Sequence, residues 1–292
     1  MQLRARLLGS AVVATLSGAC LVLASGTMDA SAAAGHAVHH APRVGRMLRA
    51  AAPRGADTQA VRGVTKLDSS NWSGYAQSVT KKGTFTAIKD FWTVPTVNTK
   101  ASGDQYSSDW AGIGGFSEDT LVQDGTEGDN IGGTAHYDAW TEILPASEVV
   151  IKGLTIKPGN KMEGLVEETK AGTWKMTVFD LTTGKSGGRT VKYSSSGESI
   201  EAIHERPEVG GSLATLATTN NVTFDPGSFS TAAPGTPSFK PLLKVASGAT
   251  LNEIFMVNNA DTAVIASPSA ADSDSDGFTV ADGSKSPAPP KS

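Results

Sequence analysis

The sequence predicts an all-β protein built as a two-sheet antiparallel β-sandwich. Charged residues make up only 18% of its 292 positions while glycines number 32, a profile that suits many turns and few helices. Apolar residues come in short alternating bursts, without the sustained 3.6-residue period of an amphipathic helix. Turn signals such as Pro158-Gly159 and Thr183-Gly184 separate those bursts at regular intervals. Short strands at such spacing fit two packed sheets better than alternating strands and helices.

Each segment follows from the same reasoning. Residues 1–34 read as a signal peptide: Arg4 and Arg6 precede an apolar run from Leu7 to about Leu23, and Ala30-Ser31-Ala32 offers a cleavage site. Cys20, the only cysteine, falls inside it, so the mature chain would hold no thiol and no disulfide. Residues 35–67 carry His36, His39, His40 and five arginines among alanines and prolines. They read as a linker or as a basic propeptide that docks on an acidic body and is released in acid.

The domain is expected over residues 68–281, opening with Asn71-Trp72-Ser73-Gly74-Tyr75, with a first clear strand over 84–94 ending at Pro95. Residues 110–145 suggest short strands joined by turns, with Gln123 at a strand end before an Asp124-Gly125 turn. Stretches 149–156 and 162–166 flank the Pro158-Gly159 turn as two strands. Trp174, Met176 and Val178 alternate, and the chain returns over 189–193 as a hairpin with one buried face. Further strands are expected over 221–224, 254–257 and 277–280, and residues 282–292 as a disordered tail.

Charge excludes some partners. Residues 1–66 hold eight Lys/Arg against two Asp, which leaves 17 basic against 27 acidic residues in the body. Such a surface argues against nucleic acid, whose phosphates need clustered cations. The N-terminal apolar run is too short and too interrupted for a membrane anchor, so no membrane contact is expected after signal removal.

Familiar catalytic signatures are absent. There is no HExxH, no GxSxG and no cysteine nucleophile in the body. Asp272, Asp274 and Asp276 resemble the first half of a calcium loop, but Gly283 stands where its bidentate Glu belongs, so they read as a solvated acidic loop and no metal is expected. What remains is acids and amides on a β scaffold: Gln123, Asp138, Glu142, Glu201 and Glu205. A carboxylate held in a cleft can act as general base on water, and a glutamine can donate to an oxyanion at any pH.

These residues fall within a longer series of motifs. It runs through Asn71-Trp72-Ser73-Gly74, Trp92-Thr93-Val94-Pro95, Trp110-Ala111-Gly112-Ile113 and Leu121-Val122-Gln123-Asp124-Gly125. It continues with Tyr137-Asp138-Ala139-Trp140-Thr141-Glu142 to Pro145, Leu181-Thr182-Thr183-Gly184, and Glu201-Ala202-Ile203-His204-Glu205. In order and spacing the set resembles the glutamic peptidases (family G1, eqolisins), secreted acid endopeptidases, over about residues 70–281. The resemblance implies a sandwich of the concanavalin A-like or jelly-roll type with a cleft on its concave face. It implies Gln123 and Glu205 as a catalytic dyad that activates water, with no cofactor, metal or covalent intermediate. Trp72, Trp110 and Glu142 would bind substrate, and Asp138 would support the site. Gly114, Thr141, Ile143 and Leu144 depart from the family pattern and bear on subsite preference. The expected partners are polypeptide substrates and, in cis, an inhibitory propeptide; the enzyme is expected to be a secreted monomer.

Two other functions fit the same residues. Glu142 and Glu205 could be the paired carboxylates of a jelly-roll glycoside hydrolase. Trp72, Trp110 and Trp140 could form the platform of a noncatalytic carbohydrate- or protein-binding module. His204, next to Glu205 on a strand, should face away from the cleft.

Overall fold

A computed structural model describes residues 63–292, together with the backbone of two short strands, Val38–His39 and Arg49–Ala50. The expected signal peptide at 1–34, with Cys20, and most of the basic segment 35–67 lie outside the described residues. Among the described residues every regular element is a strand.

The longer strands form two packed sheets, and Val38–His39, Glu208–Val209 and Ser212–Leu213 form a small separate one. The front sheet contains β1 (Val64–Ser69), β2 (Trp72–Ser78), β4 (Ser108–Gly114), β5 (Leu121–Ile131), β6 (Thr134–Ile143), β10 (Ser199–Glu205) and β13 (Thr250–Val257). Its order is β1, β13, β2, β10, β4, β5, β6, antiparallel except where β1 runs parallel to β13. The back sheet contains β3 (Ala87–Thr93), β7 (Lys161–Lys170), β8 (Thr173–Asp180), β9 (Lys185–Lys192), β11 (Val222–Phe224), β12 (Ser228–Ser230), β14 (Val264–Pro268) and β15 (Phe278–Asp282). It runs β9, β8, β7, β3, then β11 and β12 side by side along β3, with β15 and β14 beyond β11. The β13–β14 hairpin joins the sheets at one edge.

Alternation explains which face each residue takes. Ala111, Ile113, Val122, Ala139, Ile200 and Ala202 point from the front sheet into the inter-sheet core, where Trp92, Met162, Val166, Trp174, Met176 and Phe224 meet them from the back sheet. The intervening residues point to the other face of the front sheet, and there Trp72, Trp110, Leu121, Trp140 and Ile203 form a second apolar cluster. The 173–192 hairpin occurs as expected, Asp180 facing Lys185 with Trp174, Met176 and Val178 buried.

Four expectations are corrected. The region 110–145 forms three long strands, and Gln123 is the third residue of an 11-residue strand. Asp124-Gly125 makes no turn there, because the Asp124 carboxylate turns into the core and accepts a hydrogen bond from Thr177 N (2.8 Å). Stretch 149–156 keeps only Val149–Val150 as a strand; Gly153 at φ 86° ends the extended run, and Leu154 and Ile156 enter the core from a loop. The aspartates at 272–276 do not form a fully solvated loop, since Asp272 is buried. The first body strand begins at Val64, four residues before the expected start at 68.

Candidate active site

The registers place the predicted residues in rows across the outer face of the front sheet. Gln123 on β5 lies opposite Glu142 on β6 and Gly112 on β4, and Gly112 lies opposite Glu201 on β10. Glu205, four residues along β10 from Glu201, lies opposite Ser108 on β4 and Trp72 on β2. Side chains in one row of an antiparallel sheet share a face, so all of these acids and amides point the same way.

Two contacting groups result. Gln123 Nε2 donates to Glu142 Oε2 at 2.6 Å, while Gln123 Oε1, fully buried, has no hydrogen-bond partner. A primary amide has two N–H donors, so one remains for another acceptor. The Glu205 carboxylate receives Asn71 Nδ2 (2.9 Å) and Trp72 Nε1 (3.1 Å) on Oε1, and Trp110 Nε1 (2.7 Å) on Oε2. Three N–H donors converging on one buried carboxylate stabilise negative charge there. The Trp72 and Trp110 rings meet edge to face at 5.1 Å, which fixes both N–H directions.

Trp110 spans the two groups. A Cβ placed on Gly112 would lie 2.8 Å from Trp110 Cζ3 and 3.2 Å from Gln123 Cβ, so the indole leans over Gly112 beside Gln123 while its N–H reaches Glu205. Gly125 is required for the same reason, since a Cβ there would meet Asp109 O at 2.5 Å and Trp110 Cβ at 2.6 Å. Among the described residues no hydrogen bond joins Gln123 directly to Glu205.

The other expected residues are placed as follows. Asp138 lies on the same face, in the row of Glu205 beyond Ser108 and Glu127, and no hydrogen bond links it to Gln123, Glu142 or Glu205. Burial raises its carboxyl pKa, with Glu148 adding and His136 opposing. His204 faces the inter-sheet side as alternation requires, and its Nδ1 lies 2.8 Å from Asp109 Oδ1. Burial acts to lower the His204 pKa, but the charge and hydrogen bond of Asp109 outweigh it and the net shift is upward.

Two residues were passed over by sequence reasoning. Asn71 was read as part of a motif without a role, yet it holds Glu205 from a strand start 134 residues away. Glu201 was named among the acids but given no function. It is fully buried, and burial raises its pKa well above the usual range, with Ser199 opposing and the charge of Glu118 adding. The face therefore pairs an acid whose burial favours its neutral form, Glu201, with a donor-rich carboxylate, Glu205. The signal was the i, i+4 spacing of two glutamates on one strand, which places both on the same face.

Comparison with known proteins now adds to this geometry. A family model described as the Peptidase A4 family matches residues 70–279. Aspergillopepsin-2 of Aspergillus niger is 31% identical over 179 residues, 53% of this chain and 62% of the relative, so the chain spans less than two thirds of that protein's length. In fold, scytalido-glutamic peptidase with a transition state analog inhibitor matches at a TM-score of 0.59 and 20% identity, covering 73% of this chain and 98% of that one. Aspergilloglutamic peptidase from Aspergillus niger matches at a TM-score of 0.51 and 26% identity, covering 61% and 99%. The family match takes in both glutamates of β10, Gln123 and nearly every body strand, and on it the chain belongs to the Peptidase A4 family.

Proposed function

We propose that the protein is a secreted acid endopeptidase in which Gln123 and Glu205 activate water for attack on a peptide carbonyl. The observation that carries this reading is the complementary state of the two groups: a buried amide with a free acceptor and a free N–H beside Glu142, and a carboxylate held by Asn71, Trp72 and Trp110. Glu205 takes a proton from water and passes it to the leaving nitrogen. Gln123 Oε1 accepts from the same water, and its second N–H stabilises the tetrahedral oxyanion. Glu142 fixes the amide so that this N–H is already oriented. Trp72 and Trp110 line the substrate path, and Asp138 supports its rim.

The basic segment 35–67 acts as an inhibitor in cis at neutral pH. In support, Val38–His39 adds a strand to Glu208–Val209, three residues after Glu205. Arg49–Ala50 pairs with Asp68 and Leu67, just before Asn71 and Trp72. Both flanks of the Glu205 site are thus paired with this segment.

The test is hydrolysis of an unfolded protein across about pH 2 to 7 by wild type, Gln123→Ala and Glu205→Gln, with a chelator and a serine-protease inhibitor present. Acid-dependent cleavage that survives the inhibitors and falls by about 10²-fold or more in both folded variants is expected. Undiminished cleavage by folded Gln123→Ala would refute the dyad.

A further inference from the structure

Beside the back sheet, the loop Asp272-Ser273-Asp274-Ser275-Asp276-Gly277 folds against the connection between β11 and β12 that carries Asp225, with Gly227 N donating to Asp276 O (2.7 Å). One carboxylate oxygen each from Asp225, Asp272 and Asp276 lies within 4.8 Å of the others. That is about twice a calcium–oxygen bond of roughly 2.4 Å, so one ion can touch all three.

Two buried carboxylates, Asp272 and Asp90, each keep one oxygen without a hydrogen-bond partner. Asp272 is 8% exposed; its Oδ1 accepts from Asp276 N (3.0 Å), but its Oδ2 has no hydrogen-bond partner. Asp90, on β3, is fully buried. Its Oδ1 accepts from Phe91 N (2.8 Å) and its Oδ2 has no partner. Burial raises the Asp90 pKa well above the usual range, and the charges of Asp225 and Asp276 add to that rise.

Two glycines make the convergence sterically feasible. A Cβ on Gly277 would lie 2.5 Å from Asp272 Oδ2 and 2.8 Å from Asp225 Oδ1, and one on Gly227 would lie 3.0 Å from Asp90 Oδ1. Among the described residues, no lysine, arginine or histidine forms an ion pair with Asp90, Asp225, Asp272 or Asp276. Buried carboxylates of one sign call for a compensating charge.

We propose that Asp225, Asp272 and Asp276 bind one hard divalent cation, calcium by preference. The donors are all oxygen, without the histidine or cysteine that favours zinc. They come from two loops, which suits the adaptable six- to eightfold coordination of calcium better than the strict octahedron of magnesium. Water fills the remaining positions. The ion ties the β11–β12 connection to the loop before β15, so binding stabilises the back sheet and does not touch the residues of the front face.

The experiment uses full-length protein stripped with a chelator and dialysed near neutral pH. Calcium chloride is titrated by calorimetry, and thermal unfolding is followed with calcium, with magnesium and with neither. The expected result is one calcium site per chain and a melting temperature raised by roughly 5 to 10 °C at a hundredfold excess over Kd, with a smaller magnesium effect. Asp225→Asn and Asp272→Asn should each abolish the calcium-dependent shift. Wild-type protein that gives neither binding heat nor a shift at millimolar calcium overturns the proposal whatever the variants do. An undiminished shift in folded Asp225→Asn overturns it as well.

Discussion

Glu201→Gln tests the electrostatic reading of the front face through stability alone. The folded Glu201 carboxyl is raised well above its ordinary value by burial and by Glu118, while the unfolded chain titrates near the usual glutamate value of about 4.3. A raised group favours the folded state fully below the unfolded pKa, and that stability is lost as pH rises toward the folded pKa. Each pH unit over which only the folded chain keeps the proton costs about 1.4 kcal/mol, so wild type should lose stability through this residue between about pH 4.5 and 6.5. Glutamine preserves the shape and cannot ionise. Urea denaturation of both full-length proteins at the two pH values should therefore show the variant gaining on wild type as pH rises. Asp90, Asp109, Asp124 and Glu253, whose burial raises their pKa values too, are common to both proteins and cancel. A stability difference that stays constant between the two pH values would refute the reading of Glu201 as an acid whose burial favours its neutral form.

Three further outcomes are expected. Trp110→Phe keeps the buried ring and its edge-to-face contact with Trp72 but removes the N–H from Glu205, so it should cost about 1.5–3 kcal/mol, read as a lower melting temperature and slower acid hydrolysis. Wild-type values for both would contradict the bridging role. Gly125→Ala forces a methyl against Asp109 O and the Trp110 side chain, and should destabilise by about 1–3 kcal/mol in a denaturant melt; a neutral effect would mean the strands can part there cheaply. A synthetic peptide spanning residues 35–67, added to processed enzyme, should inhibit near neutral pH and lose its effect in acid, and absence of inhibition near neutral pH counts against the cis-inhibitor reading.

What the sequence made legible follows from period-two patterning. Trp174, Met176 and Val178 announced a buried strand face because each is separated by one polar or small residue, and the same rule sent His204 inward, away from Glu205. The rows across the front sheet were not legible, because register depends on partners far apart in sequence. Nothing near Gln123 indicates that Gly112 and Glu201 complete its row, or that Asn71 caps Glu205. Asp124-Gly125 misled for a related reason: the pair has turn chemistry, but Gly125 is there to let Trp110 and Trp140 pass, and Asp124 is drawn inward by Thr177 N. The 272–276 aspartates failed to stand out because Asp225, on the β11–β12 connection, and Asp90, on β3, come from elsewhere in the chain.

The parallel pairing of β1 with β13 has a consequence for timing. Residues 64–69 and 72–78 are neighbours in the chain, yet residues 250–257 lie between them in the sheet. As the polypeptide is synthesised from its N-terminus, Trp72, Gln123 and Glu205 all exist well before the strand that locks β1 and β2 in place. Contacts over such separations form late because the intervening chain must first be ordered. A growing chain thus carries Trp72, Gln123 and Glu205 before it carries the strand that holds β1 and β2 in register, and the front face stays unassembled until residues 250–257 have been made.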